Sequence, residues 1–339
     1  MLGLKIETAE NKSSYAVTIA KDFSAFTDKI LPFISGEKVA VITDSVVNEI
    51  YPDVFSGYLK NKTVYKYVVS SGEESKNIDT FAALLNNLAE DGFTREDTII
   101  TFGGGVVGDL GGFVAATFMR GVNLISVPTT LLSMADSSVG GKTAININKG
   151  KNLCGAFYPP KAVYINVGFL KTLPHSEMLN GYGEMLKYTF LSDFNFDGET
   201  VDESAIYECL KIKAAIVTED EREKGIRKLL NLGHTVGHAI EKLSGFKLPH
   251  GICVAKGIDY ALKISEKYFG YGDERRKEYE EKAGKLGVDC DCAYSAESLF
   301  KTIVSDKKRF GSEIDIILIN KNGKAEIVRM KLDLLREYL

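Results

Sequence analysis

The run Arg227-Lys-Leu-Leu-Asn231-Leu-Gly-His234-Thr-Val-Gly-His238 holds the densest chemistry in the chain. At about 100° per residue, Arg227, Asn231, His234 and His238 fall within roughly 60° of one another on a continuous helix. Leu229, Leu230, Leu232 and Val236 occupy its other faces. An exposed helix face is usually rich in Lys and Glu, and this stripe holds neither. Two histidines four apart can bind one metal ion, in the manner of His-Glu-x-x-His, although the glutamate that serves a protease as base is missing here. His250 and Glu184 are candidate additional ligands, and Glu184 shares a helix face with Lys187 three residues on.

A second chemical signal is Gly103-Gly-Gly105-Val-Val-Gly108. It follows the strand-like Thr98-Ile-Ile-Thr-Phe102 and precedes a small-residue helix expected over about 109–119. Glycines in that position let the backbone approach a pyrophosphate, and the helix start offers open N–H groups. The usual fingerprint places an acidic residue about 20 positions later, and none stands there. Asp44, ending the strand-like Lys38–Thr43, is the alternative ribose partner, which makes this a nucleotide site in a non-standard chain order. Ser137-Ser-Val-Gly-Gly-Lys142-Thr and Gly150-Lys151-Asn152 are expected in one loop-rich stretch, where ammonium groups and open backbone suit a phosphate.

The elements that must position these groups divide the chain near residue 170. Before it, strand-like and helix-like runs alternate: 38–43, 63–70, the helix 78–91 with Phe81, Leu84, Leu85 and Leu88 on one side, 98–102, and 123–127. That alternation predicts an α/β, Rossmann-like nucleotide-binding domain with a parallel sheet over 1–170. Beyond Pro174 the periodicity is helical, at 176–191, 203–219, 227–243, 252–268 and 273–286, so a mainly α-helical metal- and substrate-binding domain is expected over 171–339. A terminal hairpin is expected at 314–319 and 325–330 around Asn322-Gly323.

The 339 residues are 45% hydrophobic and 26% charged, within the globular range. The net charge of −4 speaks against a general nucleic-acid binder. No run is apolar enough to span a membrane, and Met1–Ala20 lacks the apolar centre of a secretory signal. Five cysteines without Cys-x-x-Cys fit a reducing cytoplasm, with Cys290 and Cys292 read as incidental thiols.

Several motifs, in order, resemble 3-dehydroquinate synthase of the sugar phosphate cyclase superfamily. They are Gly103–Asp109, Met119-Arg120-Gly121, Val127–Leu131, Asp136–Lys142, Gly150-Lys-Asn152, Gly183-Glu184-Met-Leu-Lys187-Tyr, Asn231–His238, Pro249-His250-Gly251 and Asp306-Lys-Lys308. The resemblance spans about residues 38 to 319. Ser176 stands where the family usually has Arg, and Asn166 where it often has Asp.

The resemblance implies conversion of 3-deoxy-D-arabino-heptulosonate 7-phosphate into 3-dehydroquinate and phosphate. NAD is reduced and reoxidised in each turnover, phosphate leaves by β-elimination, and an intramolecular aldol step closes the ring. It implies NAD contacts at Asp44, Glu73, Lys76, Gly104, Gly105, Val106, Asp109, Thr129, Thr130, Lys151 and Thr172. It implies a divalent metal, zinc or alternatively cobalt, on Glu184, His234 and His250. Substrate contacts fall to Asp136, Lys142, Asn152, Lys187, Lys213, Arg227, Asn231 and His238, with Lys307 or Lys308. Arg120 matches a position that reaches the phosphate across a homodimer contact. The substrate class is a sugar phosphate, with no nucleic acid or membrane partner. The rival readings are a cyclase acting on a carboxylate-free sugar phosphate, a metal-dependent polyol or glycerol-phosphate dehydrogenase, and a non-catalytic nucleotide-binding regulator. Lys213, Arg227 and Asn231, the carboxylate-side pattern, favour the heptulosonate over the first of these.

Overall fold

The computed structural model describes residues 1–8, 13–148, 150–196, 201–307 and 311–339. The chain separates into two compact units: Met1–Leu173 with Asp202–Ala214, and Pro174–Val201 with Ala215–Leu339.

In chain order the first unit holds β1 (Leu2–Thr8), β2 (Ser13–Ala20), α1 (Phe26–Lys29), β3 (Lys38–Asp44), α2 (Ser45–Ile50), β4 (Thr63–Val69), α3 (Ile78–Glu90), β5 (Thr98–Gly103), α4 (Gly105–Thr117), β6 (Asn123–Pro128), β7 (Lys142–Ile147), β8 (Gly150–Phe157) and β9 (Ala162–Asn166). Seven strands form one sheet in the order β1-β2-β9-β6-β5-β3-β4. All its pairings are parallel except β1–β2. Every residue of β5 is buried, as a central strand covered on both faces requires. One face packs Ile42, Ile99, Leu110, Val114 and Leu124 with Leu84 and Leu88 of α3. An aromatic group including Phe23, Phe26, Phe55, Tyr164 and Phe169 makes a second cluster.

Strands β3 and β5 are neighbours although β4 lies between them in sequence, and the chain leaves them toward opposite sides of the sheet. The crevice beyond their carboxyl ends is the topological switch point, where open α/β sheets bind ligands. Asp44 and Gly103 end these two strands.

The expected loop-rich stretch around Lys142 and Lys151 is instead the antiparallel hairpin β7–β8, with an irregular register between Ile145 and Ile147. Ladder hydrogen bonds satisfy a backbone whose Gly and Asn content reads locally as loop. The α4 helix begins four residues earlier than expected, because glycine at Gly105 and Gly108 does not delay a helix start that packing supports.

In the second unit come α5 (His175–Tyr188), α6 (Glu203–Glu219, whose residues through Ala214 group with the first unit), α7 (His234–Leu243), α8 (His250–Phe269), α9 (Glu274–Lys285), α10 (Ala296–Lys307), the hairpin β10 (Glu313–Ile319) and β11 (Ala325–Lys331), and α11 (Leu332–Tyr338). Its core joins Val236, Ile240, Cys253, Ile264, Leu299, Ile316 and Leu335. The expected helix 227–243 is broken. Ile226–Asn231 is a 3-10 turn, and Gly233 sits at φ 81° before α7 starts. A Cβ on Gly233 would lie 2.6 Å from Val254 O, so α8 approaches where only glycine fits. The four-residue stripe is therefore not one helix face, although His234 and His238 keep their i, i+4 relation.

Between α8 and α9, Arg276 meets three carboxylates: Glu280 at 2.6 Å, Glu266 at 3.1 Å and Asp259 at 4.0 Å. Burial raises the Asp259 carboxyl to about 7, and Glu280 adds to this against the pull of Arg276 and Lys263. An acid whose folded pKa is raised costs stability as pH climbs from its unfolded value through the folded one. Asp259→Asn should therefore raise the thermal midpoint at pH 8 and leave it nearly unchanged at pH 4. Equal shifts at both pH values would show that Asp259 does not titrate in this range.

Candidate active site

At the switch point of the first unit, β5 gives way to α4 through Gly104, whose backbone is extended and which caps the helix with no side chain. The first N–H groups of α4 thus open without a side-chain acceptor. A Cβ on Gly104 would press on Thr130 Cγ2 at 2.9 Å. Thr129 N donates to Gly103 O at 3.0 Å, while the buried Thr129 hydroxyl has no hydrogen-bond partner. Open glycines, an uncapped helix start and an orphaned hydroxyl fit a dinucleotide, whose phosphates and hydroxyls would satisfy them.

Gly104, Gly105, Asp109, Ser138 and Lys142 share the lining of one cleft. Val106 and Asp109 lie in the first turns of α4. Lys76 Nζ lies 3.0 Å from Asp109 and 3.2 Å from Glu73, and Glu73 also accepts from Asn146 Nδ2 at 2.7 Å. Burial pushes the Asp109 carboxyl up against the pull of Lys76. Burial opposes the charge on Lys76, yet Asp109 and Glu73 outweigh it and raise its pKa.

The remaining nucleotide candidates are spread through the unit. Asp44 Oδ1 caps α2, accepting from Val46 N at 2.9 Å and Val47 N at 3.0 Å. Thr130 and Ser133 hydroxyls meet at 2.9 Å, and Thr172 Oγ1 meets Tyr51 OH at 2.7 Å. Lys151 and Asn152 lie on β8, with Asn152 at φ 57° and its N–H on Asn146 Oδ1 at 2.9 Å.

Between β6 and β7, Ser133–Ser137 forms a π turn. Lys213, on α6, is buried and donates to Asp136 O at 2.8 Å, with its Nζ 3.3 Å from Asp136 Oδ1. Arg120 is exposed on a turn in which Met119 and Arg120 hold φ 50° and 65°. Non-glycine residues adopt such angles only when the surroundings impose them. Arg95 helps to do so, donating to Met119 O from Nε at 3.2 Å and Nη2 at 3.0 Å.

In the second unit Glu184, Lys187, His234, His238 and His250 come together from α5, α7 and α8. Glu184 and Lys187 are both buried, and Lys187 Nζ donates to Glu184 Oε2 at 2.6 Å. The other oxygen, Oε1, lies 3.1 Å from His250 Nε2 and 3.5 Å from His234 Nε2. His234 turns its Nδ1 to Leu232 O at 3.2 Å, and His250 turns its own to Glu241 Oε2 at 3.2 Å. His238 lies beside them, with ligand atoms of the three imidazoles all within 4.8 Å of one another.

Two imidazole Nε2 atoms converging on one carboxylate oxygen form a donor set suited to zinc or cobalt, with positions left for water or substrate. Electrostatics agree for Glu184 and His234, whereas a metal must displace a proton from His250. Burial opposes charge on Glu184, yet Lys187, His234 and His250 hold its pKa well below the usual carboxylate value. Burial pushes His234 down to about 3, leaving a neutral ligand. Burial opposes charge on His250 as well, but its contacts with Glu184 and Glu241 raise it to about 10.

These contacts depend on three helices meeting backbone to backbone. A Cβ on Gly183 of α5 would collide with Gly251 O of α8, one on Gly251 with Asn180 O, and one on Gly257 with Gly233 O. Gly251 N donates to Asn180 Oδ1 at 2.7 Å across the same contact.

Arg227 is almost wholly buried, its N–H on Asp220 Oδ2 at 3.0 Å and Nη1 on Glu221 O. Asn231 Nδ2 donates to Glu223 Oε1. Sequence reasoning missed Glu223 and Glu241. Glu223 stands out in the structure by its φ of 59°, for which an isolated glutamate gives no sequence signal. Lys307 ends α10, its side chain outside the described portion, and Lys308 lies outside the described residues.

Family profiles described as 3-dehydroquinate synthase N-terminal and C-terminal match residues 66–180 and 181–309. A 3-dehydroquinate synthase of Alkaliphilus metalliredigens is 38% identical over 97% of this chain and 96% of its own length. Among solved structures, 2-deoxy-scyllo-inosose synthase complexed with carbaglucose-6-phosphate, NAD+ and Co2+ aligns with a TM-score of 0.89, at 25% identity over 99% of each chain. The fold also matches 2-epi-5-epi-valiolone synthase from Streptomyces hygroscopicus subsp. jinggangensis with NAD+ and Zn2+ bound, at TM-score 0.85, 19% identity and 96% of each chain.

Proposed function

The chain belongs to the 3-dehydroquinate synthase family, and from that premise we propose the residues through which it works. The reaction converts 3-deoxy-D-arabino-heptulosonate 7-phosphate into 3-dehydroquinate and phosphate, a step of aromatic amino acid biosynthesis that uses NAD and a divalent metal. The observation that carries the site assignment is the convergence of His234 and His250 Nε2 on Glu184 Oε1.

Glu184, His234 and His250 would hold the metal, which when bound would lower the pKa of a substrate hydroxyl and orient it. Gly104, Gly105, Val106, Thr129 and Thr130 at the α4 start, with Asp44, Glu73, Lys76, Asp109, Lys151 and Thr172, hold NAD, which supplies a hydride acceptor that is regenerated within each turnover. Lys142 and Asn152 bind the phosphate by charge and hydrogen bonding. Arg120 acts on the same group from a second copy of the chain, which makes the working form a homodimer. Lys213, Arg227 and Asn231 recognise the carboxylate, and Asp136, Lys187 and His238 orient hydroxyls, with Lys307 or Lys308 as a further cation. Division of labour follows the two units: nucleotide binding in Met1–Leu173 with Asp202–Ala214, and metal binding in Pro174–Val201 with Ala215–Leu339. The setting is the cytoplasm, without nucleic-acid or membrane partners. Among the described residues no helix is long and apolar enough to cross a membrane.

Incubation with the heptulosonate phosphate, metal and substoichiometric NAD tests the reading. Many phosphates should be released per NAD, with no NADH accumulating. One NADH per turnover would point to a dehydrogenase, and faster turnover of sedoheptulose 7-phosphate to a carboxylate-free cyclase.

Lys142→Ala should lower kcat/KM for the heptulosonate by about 10- to 150-fold and leave NAD affinity nearly unchanged. A lost charge-assisted hydrogen bond is worth about 1.5–3 kcal/mol. Unaltered kinetics in a folded variant would remove Lys142 from the site.

A further inference from the structure

We propose that Glu241 is a positioning residue for the metal site, fixing His250 as the Nδ1–H tautomer so that Nε2 faces the ion. This rests on the metal reading of Glu184, His234 and His250.

Glu241 is buried on α7, and a buried carboxylate is costly unless hydrogen bonds satisfy it. It lies three residues beyond His238 and seven beyond His234, so the three share one face of that helix. Its own carbonyl is fixed at the helix end by Ser244 Oγ at 2.7 Å and Phe246 N at 2.9 Å. Its Oε2 stands 3.2 Å from His250 Nδ1. An ionised carboxylate only accepts, so Nδ1 carries the proton.

The two nitrogens of an imidazole point away from each other. Glu241 on Nδ1 is therefore behind the ring, while Nε2 lies 3.1 Å from Glu184 Oε1 on the ligand side. Glu241 is thus placed to orient a ligand rather than to be one. His234 is anchored in the same sense by a neutral acceptor, Leu232 O. The two ligands differ in this respect: a charged acceptor makes His250 the more basic donor, as carboxylate–histidine–metal pairs do. No spacing rule in the sequence marks Glu241, because its partner lies on a different helix.

Metal-free protein titrated with Co2+ against a competing chelator gives the test. Glu241→Ala is expected to bind Co2+ about 10- to 100-fold more weakly than the unaltered chain. Glu241→Gln, whose Oε1 still accepts from Nδ1–H, should fall closer to the unaltered chain than to Glu241→Ala. A folded Glu241→Ala protein, with an unchanged metal-free thermal midpoint and unchanged Co2+ affinity, overturns the proposal and leaves the metal reading standing. An unaltered chain that binds no Co2+ overturns both.

If Glu241→Ala fails to fold, the unaltered protein decides the matter. The chain has four histidines, so 15N-histidine labelling gives a short spectrum. In the zinc-loaded protein His250 should be protonated at Nδ1 and metallated at Nε2. Metal on Nδ1, or a bare Nδ1, overturns the proposal.

Discussion

His250→Ala and Glu184→Ala should each purify without metal and lose activity by a factor on the order of a thousand or more, the scale of several kcal/mol that a bound ion contributes. His238→Ala should keep close to one metal per chain and lose activity alone. Spacing on α7 nominates His234 and His238 as a pair, and the three imidazoles do lie within 4.8 Å. His234 and His250 aim Nε2 at Glu184 Oε1, and each has its Nδ1 anchored behind. Elemental analysis of the three purified variants measures the difference. A metal-free His238→Ala beside a fully loaded His250→Ala would make the helix pair the true ligand set.

Gly183→Ala should damage the same site without touching a ligand. Its Cβ would be driven into Gly251 O, which belongs to helix backbone and has no rotamer in which to retreat. Overpacking of this kind typically costs about 1–3 kcal/mol, and more where backbone must move. Because Glu184 is the next residue, relief by sliding α5 away from α8 would carry its carboxylate off His250. The expected result is a lower thermal midpoint together with weaker Co2+ binding. Gly284→Ala, in α9 with nothing within 4 Å of the added carbon, is the control. There the lower backbone entropy of alanine in the unfolded chain should leave stability equal or raise it by about 0.5–1 kcal/mol. A Gly183→Ala protein as stable and as metal-competent as the control would show that the close contact is not needed.

The chemical residues were legible because their types are restrictive. Histidines, a glycine-rich strand–helix junction and lysines among glycines have few ordinary uses in combination. Geometry was legible only where it is local. The Phe81–Leu88 periodicity gives α3, and Asn322-Gly323 marks the β10–β11 turn. The stripe through Arg227 failed because helical periodicity says nothing about Gly233, whose φ answers to α8. The β1–β2 hairpin was not anticipated, since its place in the sheet comes from pairing with β9, Ala16 opposite Ala162, a contact no local window contains. Helix α6 posed the same difficulty: its own periodicity is clear, but nothing in it says that residues through Ala214 group with the first unit.

The π turn at Ser133–Ser137 bears on which changes of chain length the protein can survive. Such a turn is what an α-helix becomes when it accommodates one extra residue. Deleting Ala135 would give the segment an ordinary helical count and rotate the residues after it by about 100°. Asp136 would then leave the Lys213 ammonium, which holds both its carbonyl and its carboxylate. A stretch that looks like a serine-rich connector is therefore fixed to the residue in length, whereas substitutions that keep the count, such as Ala135→Ser, leave the turn its shape.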